Sequence, residues 1–273
     1  MNMKKIVTVA ISVTVLAACV ALGLGVMGAK QAGRDLPNCP GGVFANEAMV
    51  FDAIAICATS DVSQEKLAHA ANVAAEWLDN DGDGEVDEPR IVTAMQTSRP
   101  FVIMTPSGPS AAVMAALSPT FASRVGQDLH ASETNPGNGQ RDASQEEVLH
   151  AIQNGGWAIA FPDVWGDQPG ATLYQEWQAA EAAGHYAYDD PTCNAACKVT
   201  EYTYVAAASY LGSTKDLESN EIRLHTRDAL REGVPGTVAV FESTDYRFAT
   251  DHWPTGQYRH QSNIVFAPQE AAQ

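Results

Sequence analysis

The sequence predicts a mainly helical α+β fold in a single domain, and three observations lead to that prediction. About 240 residues follow an apolar N-terminal stretch, a length that suits one domain with a substantial core. Several segments carry apolar residues at helical spacing, whereas the remaining apolar runs are short enough for strands. No internal repeat or low-complexity linker divides the chain. We therefore expect residues 30–273 to form one domain.

Residues 1–29 have the pattern of an export signal. Lys4 and Lys5 precede an uncharged apolar run over residues 6–18. The following Leu-Ala-Ala-Cys resembles the lipobox of bacterial lipoproteins, and this resemblance implies that Cys19 is the lipidated first residue of the mature chain. Alternatively, residues 6–27 are apolar for long enough to span a bilayer as an uncleaved helix. Both interpretations predict a membrane-anchored protein whose remaining residues lie outside the cytoplasm.

The charge of the chain argues against nucleic acid as a partner. Asp and Glu number 33 against 16 Lys and Arg, which gives a formal net charge of −17. Removing residues 1–19 takes away two lysines and no acid, so the charge becomes −19. Such a chain is repelled by phosphate backbones and by anionic membrane surfaces, and it favours cations.

Four cysteines besides Cys19 predict two disulfides: Cys39, Cys57, Cys193 and Cys197. An even number of cysteines in an oxidising compartment is typical of a disulfide framework. By proximity in the sequence, we expect Cys39 to pair with Cys57 and Cys193 with Cys197. A zinc site built from these thiols is the alternative, although Cys-x3-Cys matches structural zinc spacings poorly.

A helix–loop–helix unit is predicted over residues 63–98. In the first helix, residues 63–78, Ser63 is the N-cap and apolar residues recur along one face. Pro89 suits the first position of the second helix, which carries Ile91 and Met95. The loop between the two helices is strongly acidic.

This loop reads Asp79-Asn80-Asp81-Gly82-Asp83-Gly84-Glu85-Val86-Asp87 and resembles the calcium loop of the EF-hand family. It has carboxylates at its first, third, fifth and ninth positions, glycine at the sixth and an apolar residue at the eighth. The resemblance implies calcium as a cofactor, held by Asp79, Asp81, Asp83, Glu85 and Asp87. A solvated acidic turn without metal is the alternative.

The twelfth position departs from the EF-hand pattern. Arg90 stands where the family places a bidentate Glu, and Glu88 is the nearest substitute. We therefore expect weak binding, with a dissociation constant of the order of 0.1 to 1 mM, as in extracellular calcium modules.

Periodicity and breaking residues predict the other elements. Helices are expected over residues 111–117, 171–183, 200–211 and 217–231. Strands are expected over residues 101–104, 126–134, 236–242 and 263–267.

A further helix is predicted to begin at Asp142 or Ser144 and to stop at Gly155-Gly156. Its Glu146-Glu147-x-x-His150 is similar to the His-Glu-x-x-His helix of zinc metallopeptidases, with Glu in place of the first His. The resemblance implies that Glu146 and His150 bind zinc and that Glu147 is the general base. A carboxylate in place of His adds negative charge, weakens the metal as a Lewis acid, and admits manganese or calcium.

In the gluzincin branch of these peptidases, the third metal ligand is a Glu from a later helix. The resemblance therefore implies Glu201 as the third ligand here. An inward-facing Glu201 needs a compensating charge, and a metal would supply it. His130 and His185 are the alternative third ligands. Candidate donors to a transition state are Tyr202, His225 and Tyr258.

Two hypotheses of function follow. In the first, the chain is an exported calcium-binding protein with a gluzincin-like zinc site that acts on a peptide substrate. In the second, it is a non-catalytic surface or binding lipoprotein stabilised by calcium. The chain has no Gly-Lys phosphate loop, dinucleotide fingerprint or Gly-x-Ser-x-Gly elbow, which disfavours nucleotide and serine-hydrolase chemistry.

Overall fold

The computed structural model describes residues 36, 38–137 and 139–267. The expected export signal and Cys19 lie outside these residues. Within the described ranges, no helix combines the length and the apolar character needed to cross a membrane.

One mixed sheet of five strands organises the domain. Its spatial order is β4-β3-β2-β1-β5, with parallel pairing among β2, β3 and β4 and antiparallel pairing of β1 with both β2 and β5. The strands are β1 (Asn46–Val50), β2 (Ile54–Ala58), β3 (Phe101–Thr105), β4 (Gly126–His130) and β5 (Ile264–Ala267).

Helices cover the sheet and form most of the remaining structure, so the fold is the mainly helical α+β type that the sequence predicts. They are α1 (Gln64–Leu78), α2 (Pro89–Ser98), α3 (Ala111–Phe121), α4 (Ser144–Ile152), α5 (Ala158–Ala160), α6 (Pro162–Trp165), α7 (Thr172–Ala182), α8 (Ala195–Leu211), α9 (Arg227–Gly233) and α10 (Pro235–Phe241).

The central strands are buried on both faces. In β2, Ile54 and Ile56 belong to the main core together with α1 and α4, whereas Ala55 and Cys57 belong to a smaller core with Leu117 of α3. This explains why β2 and β3 are continuous apolar runs rather than alternating ones.

Both disulfides form with the expected pairing. Cys39 joins Cys57 in the smaller core, and Cys193 joins Cys197 across the first turn of α8. Disulfides suit a non-reducing, extracytoplasmic environment.

The predicted helix–loop–helix unit is confirmed. Ser63 caps α1 by accepting a hydrogen bond from the Lys66 backbone N–H at 3.3 Å, and α2 begins at Pro89. The two helices and their loop form the crossover between the parallel strands β2 and β3.

The expected stop at Gly155-Gly156 is wrong. The chain continues from α4 through a wider π turn, Gln153–Trp157, into α5. A Cβ atom on Gly155 would lie 2.7 Å from Cβ of Pro100, and one on Gly156 would lie 3.0 Å from Met95. These glycines let the helical chain pack closely against α2 instead of ending it.

Two other predictions are also wrong. Residues 236–242 were expected to be a strand, but α10 covers most of them, because Pro235 opens a helix whose apolar residues are buried. Residues 217–231 were expected to be one helix. They divide into a 3-10 turn, Asp216–Ser219, and α9, because Asn220 adopts a left-handed conformation (φ 57°) and Ile222 pairs with Tyr186 in an isolated bridge.

Candidate metal centres

The acidic loop fills the space between the end of α1 and the start of α2. Asp79, which follows α1 directly, is fully buried. Its carboxylate accepts hydrogen bonds from the backbone N–H groups of Asp83 (3.1 Å) and Gly84 (2.9 Å) and from the Tyr258 hydroxyl (2.6 Å). Gly82 and Gly84 have φ of +68° and +100°, a conformation that favours glycine and lets the loop fold back on Asp79.

Three of the five predicted calcium ligands converge. Asp79, Asp81 and Asp83 each offer one carboxylate oxygen, and these three oxygens lie within 4.8 Å of one another. Glu85 and Asp87 are not in this group. Asp87 instead accepts a hydrogen bond from the Asn80 N–H at 2.6 Å.

The residues near the twelfth position form an ion pair of their own. The buried Glu88 caps α2 and binds the Arg90 guanidinium at 2.7 Å. Burial alone would raise the pKa of Glu88, but hydrogen bonds from Arg90 and from the backbone of Arg247 lower it below its ordinary value. Glu88 therefore binds the Arg90 guanidinium and the Arg247 backbone N–H and does not join the three converging aspartates.

Arg247 supplies a positive charge to the loop. Its guanidinium lies 2.7 Å from Asp81 and 3.3 Å from Asp87. Burial tends to raise the pKa of Asp81, but the contacts with Arg247 and with the Asp83 backbone N–H lower it overall. At Asp87 burial dominates and raises the pKa to about 6.

Other residues of the same C-terminal segment, 245–263, hold the loop backbone. Arg259 and His260 each reach the Gly82 carbonyl at 3.0 Å, and Asn263 donates to the Gly84 carbonyl at 2.9 Å. Sequence reasoning missed all of these residues, because their distance along the chain gives them no spacing signal.

The second candidate centre lies between α4 and α8. Glu146 and His150 are one turn apart on α4, and Glu201 comes from α8. One ligand atom from each of the three lies within 4.8 Å of the other two. Glu146 and His150 are buried, and the side chain of Glu201 is only 14% exposed.

Local hydrogen bonds fix where both helices begin. Asp142 accepts from the backbone N–H (3.0 Å) and the hydroxyl (2.6 Å) of Ser144 and also contacts His69 of α1 at 2.5 Å. The side chain of Asn194 caps α8 through the Cys197 N–H, inside the turn that the disulfide closes.

His150 lies between two carboxylates on opposite sides of its ring. Nε2 is 3.9 Å from Glu201, and Nδ1 is 3.9 Å from Glu147. With Nε2 towards a metal, Glu147 would face the other ring nitrogen. Carboxylates in that position orient metal-binding histidines.

Arg141 is a site residue that sequence reasoning did not identify. Its Nη1 atom contacts the Glu146 carboxylate directly, the Tyr204 hydroxyl at 3.2 Å and Asp216 at 3.7 Å. Burial by itself would lower the pKa of Arg141, but the charge of Glu146 and the other partners raise it above its ordinary value. Arg141 lies in a polar loop five residues before Glu146, a spacing that carries no helical signal.

The buried Asp216 completes this network. Tyr204 and Ser213 each donate a hydrogen bond to its carboxylate. Burial raises the pKa of Asp216 above its ordinary value despite these bonds and the nearby Arg141.

The other candidates from the sequence are engaged elsewhere. Among the described residues, the second group includes neither His130 nor His185, and His130 contacts Asp128 at 3.2 Å. Tyr202 pairs with Thr237 and Tyr258 with Asp79, both at 2.6 Å, and His225 pairs with the Ile222 carbonyl at 2.8 Å.

Comparison of the chain with protein-family models, with curated proteins and with solved structures finds no significant match. The functional interpretation therefore depends on the geometry of these two acidic groups.

Proposed function

We propose that the protein is an extracytoplasmic metal-dependent hydrolase of peptides, with its metal centre at Glu146, His150 and Glu201. The observation that carries this proposal is the meeting of these three side chains from two helices that are distant in the sequence. The buried carboxylate of Glu146 and the partly buried carboxylate of Glu201 repel each other unless a cation offsets their charge.

The donor set fits a catalytic transition metal. Two carboxylates and one imidazole suit zinc or manganese, and three protein ligands leave a coordination position for substrate or water. A metal bound there would polarise a peptide carbonyl and lower the pKa of water. Glu147, next to Glu146 on α4, is the proposed acceptor of the proton from the attacking water, and this role requires the water to reach the side of the imidazole that bears Nδ1.

Hydrolysis of a mixed library of peptides tests this function. Protein loaded with zinc or manganese should cleave peptides, and both chelator and the His150→Ala variant should abolish cleavage. A metal-loaded protein without activity on any library member would contradict the proposal.

We further propose that the acidic loop binds calcium and stabilises the fold. The convergence of Asp79, Asp81 and Asp83 supports this role, as does the resemblance of the loop to EF-hand loops. Calcium titration of the protein by calorimetry tests it, and a chain that takes up no calcium at 10 mM, a concentration of about ten or more dissociation constants for such modules, would contradict it.

A second candidate function is a non-catalytic surface or binding protein whose only metal is calcium. It is favoured by the contact of Arg141 with Glu146, since an arginine can supply the positive charge that a metal would otherwise bring. This candidate predicts calcium binding and no transition metal.

Membrane attachment through a lipid on Cys19, or through an uncleaved apolar helix over residues 6–27, completes the proposal. Mass spectrometry of the N-terminus of the protein purified from membranes distinguishes the two. A lipidated Cys19 supports the first, and an unmodified Met1 rules it out.

A further inference from the structure

The further inference concerns the charge of the proposed centre, and it rests on the proposed function. A zinc ion with two neutral histidines and one glutamate carries a net charge of +1. Glu146 in place of the first histidine would reduce that charge to zero. A neutral centre is a weaker Lewis acid, and it attracts the oxygens of a substrate less strongly.

Arg141 supplies a positive charge next to Glu146, the residue that replaces the first histidine. Its Nη1 atom contacts Oε2 of Glu146, the carboxylate in the position of the missing histidine. Counting only the guanidinium, the three ligands and the zinc ion gives a net charge of +1. The carboxylates of Asp216, 3.7 Å from Arg141, and of Glu147, 3.9 Å from His150, lie outside this count. One carboxylate oxygen of Glu146 lies within 4.8 Å of a ligand atom from His150 and of one from Glu201.

The Arg141 guanidinium has two further partners besides Glu146. Nη1 also lies 3.2 Å from the Tyr204 hydroxyl and 3.7 Å from Asp216. Tyr204 in turn packs its ring edge-on against His150, with ring centroids 5.8 Å apart. Hydrogen bonds from Tyr204 and Ser213 to Asp216 disperse its negative charge and leave Arg141 available to Glu146.

We propose that Arg141 is a positioning residue that makes the Glu146–Arg141 pair act at the metal as a neutral ligand, in the way that a histidine would. The alternative is a structural ion pair that merely joins the polar loop to α4. The two roles predict different responses to removal of the charge.

The test measures how tightly the same centre binds a cation, zinc, and an anion, azide. Zinc affinity is measured by calorimetry, and azide affinity is measured on cobalt-loaded protein by visible absorption. If Arg141 acts through its charge, Arg141→Gln should bind zinc about tenfold more tightly and azide about tenfold more weakly, the order expected for removal of one nearby unit charge from a partly buried site. A structural ion pair predicts that both affinities fall together, because Glu146 loses its support.

Two further variants keep the test decisive. Arg141→Lys retains the charge, so both affinities should stay within about twofold of the wild type, and a fall in both would overturn the proposal even if Arg141→Gln does not fold. Arg231→Gln is the matched control, because Arg231 pairs with Glu242 rather than with a centre residue. It should change neither affinity.

The outcomes separate this inference from the proposed function. If the wild-type protein binds neither zinc nor cobalt, the proposed metal centre is wrong and the role of Arg141 fails with it. If the wild type binds zinc but Arg141→Gln lowers both affinities, only the role of Arg141 is wrong.

Discussion

At the scale of single residues, His150 determines what the second centre can do. Its two ring nitrogens face different carboxylates, each at 3.9 Å. In the proposed function, Glu201 and Glu147 would have separate tasks around one imidazole. Glu201 would share the metal side, and Glu147 would either accept a proton or orient the ring.

Replacing Glu147 separates these two tasks. If Glu147 is the base, Glu147→Gln should retain zinc and lose at least ~100-fold in peptide hydrolysis, because an amide cannot accept the proton. If Glu147 mainly orients His150, zinc affinity itself should fall ~10- to 100-fold. Parallel zinc titrations and hydrolysis assays distinguish the two results, and unchanged zinc affinity together with full hydrolysis would exclude both roles.

Arg247 has a comparable position at the acidic loop. Its guanidinium contacts Asp81 and Asp87 and would repel a calcium ion that approaches the loop. Arg247→Gln should therefore raise calcium affinity roughly three- to tenfold, with the larger value at low salt. Calorimetric titration checks this, with Arg231→Gln as the control. Weaker binding by Arg247→Gln would mean that the guanidinium orients Asp81 rather than competing with calcium.

At the scale of elements, Asp142 fixes the start of α4 and thus the position of Glu146 and His150. Its carboxylate accepts from the Ser144 N–H and hydroxyl and contacts His69. Burial alone would raise the pKa of Asp142, but these partners lower it below its ordinary value. An acid with a lowered folded pKa stabilises the fold above its unfolded pKa, and this stabilisation is lost as the pH falls through the folded value.

Asp142→Asn should accordingly lower the free energy of unfolding by about 1 to 2 kcal/mol at pH 7. The difference from the wild type should shrink as the pH falls below about 4, because the carboxyl of the unfolded chain takes up its proton there while the folded one is still ionised, and the effect of the charge is lost at the lower folded pKa. Urea denaturation at pH 7 and pH 3 measures it. An equal difference at both pH values would show that ionisation of Asp142 does not matter. Asp228→Asn, at a side chain that is 91% exposed, is the control.

Helices and strands with clear capping residues or apolar periodicity could be predicted from the sequence. Elements whose conformation depends on contacts with distant parts of the chain could not. Ser63 and Pro89 mark the starts of α1 and α2, and short apolar runs mark β3 and β5. The hairpin of β1 and β2 could not be predicted, because its turn lacks the Asn-Gly pair that is typical of such turns. The turn residues Phe51 and Asp52 nevertheless adopt positive φ of 49° and 53°.

At the scale of the whole molecule, the C-terminal segment connects the acidic loop to the sheet. Asn80 is bonded to the backbone of Asp251 and His252, and Glu76 accepts from the N–H groups of Thr255 and Gly256. The segment then leads into β5, which pairs with β1. An ion bound in the loop should therefore stabilise the domain as a whole rather than the loop alone.

Calcium should raise the melting temperature of the protein by roughly 5 to 10 °C at a concentration of about 100 dissociation constants, equivalent to about 2.7 kcal/mol. Asp83→Asn should lose most of this increase and keep nearly the same melting temperature in chelator, since Asp83 is exposed. Differential scanning calorimetry with calcium and with chelator measures both. Equal melting temperatures for the wild type in the two conditions would contradict a stabilising role for calcium.

The residues proposed as ligands of the second centre could be identified from the sequence, but their partners could not. Glu146 and His150 have the one-turn spacing of two ligands, and a resemblance supplied Glu201. Arg141, Tyr204 and Asp216 meet only because α8 packs against α4, and no local pattern encodes that contact.

The most direct test of the central claim is the metal content of the protein, purified without chelator, beside that of the His150→Ala variant. Our account predicts that elemental analysis finds close to one equivalent of zinc or manganese per wild-type chain. The variant should lack this metal and contain the same amount of calcium as the wild type. Calcium alone in both proteins would contradict a metal centre at Glu146, His150 and Glu201.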